Sequence, residues 1–307
     1  MILINECGYE GQENNAGATL TTKRNMKVVN KIHLKYVDDL SLAESVNLPA
    51  KLQRIPESER PQPDVYRTRT GHVLPMSRSV VYHQLLQTEK YARDNHMQIN
   101  YKKTKLMLFN PCWSIDFMPR IDLGGQELEV VEKMRLLGVT ITSDLKWSSN
   151  TADIIQRATN KLWVIRRLKK FRANTEELVD LYTKYCRSIL EYAVPVWHSS
   201  ITAYERNSIE RVQKMALHLI LGDKYKSYDL SLEIVGLETL ELRRMRLCKK
   251  FAMKAERNNK FKHWFRLKPT VSTRQTSDKY WGPVTRTNRL KYSAIPYLTD
   301  LLNKHYM

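Results

Sequence analysis

Near the start of the chain, hydrophobic and polar positions alternate in two short runs; past residue 145 the apolar positions recur at spacings of three and four. Ile32, Leu34 and Tyr36 share one strand face and Leu40 and Leu42 resume the alternation, with Tyr36-Val37-Asp38-Asp39 at the junction. The pattern predicts a hairpin with two adjacent carboxylates at its tip. Gln84 to Asn95 reads as a helix, and the rest of residues 80–145 reads mainly as strands, including a hairpin turning at Gly124-Gly125. From Ser148 onward the spacing is helical. Ile154, Ala158, Leu162, Ile165 and Leu168 form one stripe between Thr151 and Phe171. A second helix, Glu176 to Ser199, breaks near Pro195 and carries Leu178, Leu181, Tyr182, Tyr185, Ile189, Tyr192 and Val196 on its apolar side. A third runs from Tyr204 to Leu221, stops at Gly222 and places His218 among core residues; a fourth runs from Glu238 to Asn258.

Breaker residues divide the chain. Gly8, Gly11 and Gly17 punctuate residues 1–26, which have no periodicity and read as a poorly ordered leader. Pro49, Pro56, Pro61, Pro63 and Pro75 make residues 49–79 a long loop. The expected organisation is that leader, a strand-rich region over 27–145, a helical region over 146–268, and a basic tail over 269–307. The fold class is α+β.

Composition narrows the partners. With 51 Lys+Arg against 32 Asp+Glu, the 307-residue chain carries a formal charge of +19, which makes a phosphate backbone the obvious polyanion, although ribosomal and membrane-surface proteins share that balance. No apolar run approaches the roughly 18 residues of a membrane span. The first residues lack a basic n-region, so the expectation is an intracellular protein of nucleus or cytoplasm, not a secreted one. Cys7, Cys112, Cys186 and Cys248 lie far apart with no His at ligand spacing, so zinc is not expected, and Cys186 and Cys248 fall on apolar helix faces.

The first long helix holds the densest charge. Arg157, Lys161, Arg166, Arg167, Lys169, Lys170 and Arg172 occur with no acid among them, either as phosphate contacts or as a solvated face. Arg243, Arg244, Arg246, Lys249, Lys250 and Lys254 make the fourth helix a second candidate strip. In the tail, Arg274, Lys279, Tyr280, Trp281, Arg286, Arg289, Lys291 and Tyr292 interleave cations with aromatics. They read equally as a single-strand binder or as a disordered tail with Ile295 to Leu302 docked.

Adjacent carboxylates on a hairpin suit a divalent metal. Tyr36-Val37-Asp38-Asp39 is similar to the catalytic hairpin of a reverse transcriptase palm, and the motifs downstream of it come in that family's order. Met97 to Phe109, with Asn100 and Lys103-Thr104, resembles the next palm motif, and Leu136-Leu137-Gly138-Val139-Thr140-Ile141 resembles the strand at the palm–thumb junction of non-LTR retrotransposon enzymes. Leu190 to Trp197, Ile209 to Ala216 and Ser293 to Leu298 resemble their C-terminal helical region. The resemblance implies a partial palm followed by a mostly helical thumb-like domain. It implies Asp38 as principal metal ligand, Asp39 as a second ligand or a structural neighbour, and Tyr36 near the primer end. Lys103, or Lys102 if the register shifts by one, would protonate departing pyrophosphate. Magnesium is the implied ion, RNA and DNA the implied partners, and the basic helix the implied grip on primer-template.

The family's third metal-binding aspartate belongs on an earlier strand, yet no aspartate precedes Asp38, and Glu6, Glu10 and Glu13 lie in a polar stretch without strand pattern. The Pro-Gln-Gly segment is also missing. The expectation is therefore a C-terminal piece of an RNA-directed DNA polymerase, inactive alone and with open edges on its palm sheet, that would work by two-metal nucleotidyl transfer in the complete enzyme. The alternative is a non-catalytic RNA- or DNA-binding module derived from it. The oligomeric state is not legible.

Overall fold

A computed structural model describes residues 2–6, 31–36, 39–44, 65–68, 73–75, 80–109, 117–118, 121–268, 279–282, 285 and 287–306; side chains are described from residue 82 onward, except at 117–118. The chain divides into two compact units, Met1–Leu145 and Lys146–Met307. It is mixed α+β and mostly helical.

In the first unit, β1 (Ile2–Glu6), β2 (Lys31–Tyr36), β3 (Asp39–Glu44), β6 (Lys105–Met107) and β10 (Glu129–Val130) form a sheet in the order β10-β6-β1-β3-β2. The expected hairpin is β2–β3, with Tyr36 opposite Asp39. Ile2–Glu6 corrects the reading of residues 1–26 as a leader: it is the middle strand, antiparallel to both β3 and β6. Ile-Leu-Ile is β-prone sequence, but five residues are too few to show a period. Residues 49–79 also contain strands, β4 (Val65–Thr68) and β5 (Val73–Pro75), which pair with each other and, through β4, with β7 (Phe117–Met118). The interval between Pro63 and Pro75 is free of proline, which lets a ladder form there.

Helix α1 (Val80–Asp94) buries Leu85 and Ala92 in a core shared with Ile99, Leu106, Ile121, Leu123 and Leu128. Strands β8 (Asp122–Leu123) and β9 (Gln126–Glu127) are joined by Gly124 and Gly125 at φ 59° and 75°, the left-handed turn expected there. A Cβ on Gly124 would sit 2.6 Å from the Tyr101 hydroxyl oxygen. Of Leu136-Leu137-Gly138-Val139-Thr140-Ile141, expected as strand, Leu136 ends β11 (Lys133–Leu136) and Val139 to Ile141 lie in β12 (Val139–Thr142), while Leu137-Gly138 is the turn between them. Leu137 and Gly138 take φ 46° and 81° there.

The second unit begins with α2 (Ser148–Lys170), whose Ile154, Ala158, Leu162 and Ile165 are buried as the stripe predicts, whereas Leu168, expected to continue it, is exposed in the last turn. Next come α3 (Thr175–Leu181), a π-helical turn (Tyr182–Arg187), α4 (Ser188–Glu191), α5 (Val194–Trp197) and a 3-10 turn at His198–Ser200. Helices α6 (Ala203–Leu221), α7 (Tyr228–Val235), α8 (Leu240–Arg257), α9 (Asn288–Lys291) and α10 (Ala294–Tyr306) complete the unit. Asn174 and Thr202 open α3 and α6 with reciprocal capping boxes to Glu177 and Glu205. Helix α2 packs along α6, and Lys169 Nζ donates to the Leu219 carbonyl at 2.7 Å. The tail is not a separate region: α10 packs on α8 and buries Leu298 and Leu302, within the expected docked segment.

Candidate nucleic-acid interface and acidic hairpin

The residues that resemblance singles out in the first unit gather by register at one end of the sheet. Asp39 lies opposite Tyr36 on β2 and opposite Glu6 on β1. On the other side of β1, Ile4 lies opposite Lys105, where the pairing with β6 ends, two residues short of both Glu6 and Lys103. Asp38 lies outside the described residues. A carboxylate-bearing position therefore stands on the strand beside the hairpin, contrary to the reading that no strand carries one there. Hard oxygen donors on adjacent strands fit the chemistry of magnesium. Among the described residues no group of three or more His, Cys, Asp or Glu converges as a metal cluster.

Lys103 occupies a turn that Asn100 organises. Its backbone N–H donates to Asn100 Oδ1 at 3.2 Å, and Thr104 Oγ1, almost fully buried, donates to the Asn100 carbonyl at 2.9 Å. The Asn–Lys–Thr spacing is thus an entry turn into β6.

In the second unit the seven cations of the first long helix separate into two groups. Arg157 Nε donates to the Asp153 carbonyl and Lys169 to α6, so both are tied to the fold. Lys161, Arg166, Arg167, Lys170 and Arg172 are exposed, and none forms an ion pair among the described residues. At 100° per residue, Arg167 and Lys170 fall on the side of α2 away from its buried stripe, whereas Arg166 and Lys161 flank that stripe on its two edges. Trp163 and Phe171 share the outward side, 55% and 74% exposed, with the Arg167 guanidinium 6.0 Å from the Trp163 ring centroid. Reading by charge alone missed both aromatics; their offset from the Ile154–Ile165 stripe was the available signal.

The other two basic segments are committed to structure only in part: Lys250 and Lys254 on α8 and Arg289 and Lys291 in the tail are exposed with no ion pair among the described residues. Arg243 bonds Glu191 at 2.6 Å, Arg246 pairs with Glu238, and Arg244 is fully buried. In the tail, Tyr280 is buried with its hydroxyl bonded to Glu256, and Lys279 bridges to Glu256 at 3.1 Å. Arg274 and Arg286 lie outside the described residues.

His218 is exposed and stacked on Tyr225 at 3.4 Å between centroids, not in the core. The buried histidine is His198: its Nδ1 accepts from Arg244 Nε at 3.4 Å, and burial next to that guanidinium lowers its pKa to about 4. Neither Arg244 Nη group has a partner among the described residues. Burial pushes the Cys186 and Cys248 thiols up, to about 11 and about 12, so neither is a thiolate near neutral pH. A cleft of about 500 Å³ opens between the first turns of α2 and α6. Glu205 is the one acid in its lining and already caps α6, which leaves no acid–base pair there.

Among the described residues no helix is long and apolar enough to cross a membrane. Compared with known proteins, the chain matches no family model, no curated protein and no solved structure.

Proposed function

We propose that the chain is a nucleic-acid-binding piece of an RNA-directed DNA polymerase of the non-LTR retrotransposon type, gripping its partner through the outward face of α2. The observation that carries this reading is that face: Arg167 and Lys170 project from it with Arg166 at its edge, with no acid between Arg157 and Arg172 and no described ion pair to neutralise them. Cations left without acids in this way are available to a phosphate backbone, and binding releases the counterions condensed there. Filter binding of the full chain to an RNA–DNA hybrid tests it. Arg166→Gln, Arg167→Gln and Lys170→Gln together should weaken binding at least tenfold at low salt; unchanged affinity would refute the assignment.

The register at the sheet end favours a second reading, nucleotidyl transfer. Asp38 and Asp39 would hold magnesium, whose chemistry is to lower the pKa of the attacking hydroxyl and offset charge on pyrophosphate. Glu6, opposite Asp39 in the ladder, would be the residue at the position that the family fills with an aspartate. In that reading Lys103 holds the proton for the leaving group. Primer extension on RNA with magnesium should then be abolished by Asp38→Ala and cut at least about a hundredfold by Glu6→Gln. Extension indifferent to Glu6→Gln would leave Glu6 outside the chemistry.

A further inference from the structure

We infer that the outward face of α2 takes an unpaired strand, with bases stacking on Trp163 and Phe171 and phosphates lying on the cations between them. This rests on the nucleic-acid reading above and specifies its ligand.

Large aromatics are ordinarily drawn into a core, yet these two stand on the side of α2 away from its buried stripe Ile154, Ala158, Leu162 and Ile165. Eight residues separate them, about 12 Å along the axis at 1.5 Å per residue. Within that interval Arg167 and Lys170 occupy the same side, and Arg166 lies at its edge. The alternation is aromatic, cation, aromatic, and it differs from the contiguous apolar patch that a second protein would cover. Trp163 presents an indole face with Arg167 drawn over it. A guanidinium so held is itself a platform on which a base can lie. Duplex bases are stacked on each other, so exposed rings on this helix gain little from a paired partner. An unpaired strand offers a free π-face at every nucleotide.

Stacking and phosphate contact leave different signatures. Losing a phosphate contact flattens the dependence of log K on log salt, whereas losing a stacking ring lowers affinity at every salt without changing the slope. Fluorescence anisotropy with the full chain, a labelled unstructured pyrimidine 12-mer RNA and its duplex form separates them. Trp163→Ala and Phe171→Ala should each weaken binding to the single strand about five- to hundredfold, leave the duplex within about twofold, and keep the salt slope. Trp163→Phe should restore most of the loss. Equal loss on single strand and duplex, or loss on neither, overturns the inference. So does a dimer that Trp163→Ala converts to monomer, since a second copy would then be the occupant. Should the triple Gln variant flatten the slope while both Ala variants bind normally, the inference fails and the broader reading stands. A wild-type chain that binds neither RNA form ends both.

Discussion

His198 and Arg244 put an imidazole and a guanidinium into the same interior, and the chain resolves the conflict by keeping the imidazole neutral. Burial, the adjacent Arg244 and then Arg206 all disfavour imidazolium, which is why the pKa falls to about 4. Because the folded pKa lies below the unfolded value, the stability gained is complete above about pH 6.5. It is lost as the pH falls toward 4, at about 1.4 kcal/mol per pH unit and about 3 kcal/mol in all. Urea titrations from pH 7 to pH 4 should show a steeper fall for the wild type than for His198→Gln, which keeps an acceptor for Arg244 but cannot titrate. Parallel curves would mean that His198 does not titrate in this range. The sequence pattern pointed to His218 because its neighbours are apolar. Which histidine is enclosed depends on α8 and α10 packing against α5 and the 3-10 turn after it, contacts too distant in sequence for local periodicity to carry.

At the scale of elements, the largest misreading of a face comes from one turn. An α-helix advances 400° in four residues, so a strict i, i+4 stripe drifts 40° each time. The π-helical turn at Tyr182–Arg187 is wider, and it keeps Leu178, Tyr182, Cys186 and Leu190 on one buried face. Tyr185, Tyr192 and Val196, assigned to the apolar side by α-helical spacing, are exposed instead. Ala193 at φ 51° then turns the chain before Pro195, and Val194 and Trp197 enter the core. Leu190→Ala should therefore cost about 2–5 kcal/mol in chemical denaturation. Tyr185→Ala should stay within about 0.5 kcal/mol. Equal costs would return the segment to a plain α-helix. The limits of α2, α6 and α8, the Gly124-Gly125 hairpin and most of the α2 stripe were legible because local spacing and turn chemistry decide them; α7 and the breaks between Tyr182 and Ser200 were not. Strand β1 was not, because its place between β3 and β6 is a long-range pairing.

For the whole molecule, net charge pointed to a polyanion but could not say which of three basic segments meets it. The structure separates them in part, through the acids that each one finds, while Lys250, Lys254, Arg289 and Lys291 also keep no ion pair among the described residues. Helix α8 spends Arg243 and Arg246 on Glu191 and Glu238, and the tail spends Lys279 on Glu256. Helix α2 keeps Arg166, Arg167 and Lys170 unpaired among the described residues. Whether this face holds nucleic acid is decided by the salt dependence of RNA binding in the full chain, wild type against the Arg166, Arg167 and Lys170 triple Gln variant. Each lost phosphate contact lowers the log–log slope by about 0.7 on a single strand, so the account predicts a slope shallower by about two. A triple variant with the wild-type slope would contradict it and send the search to α8 or the tail.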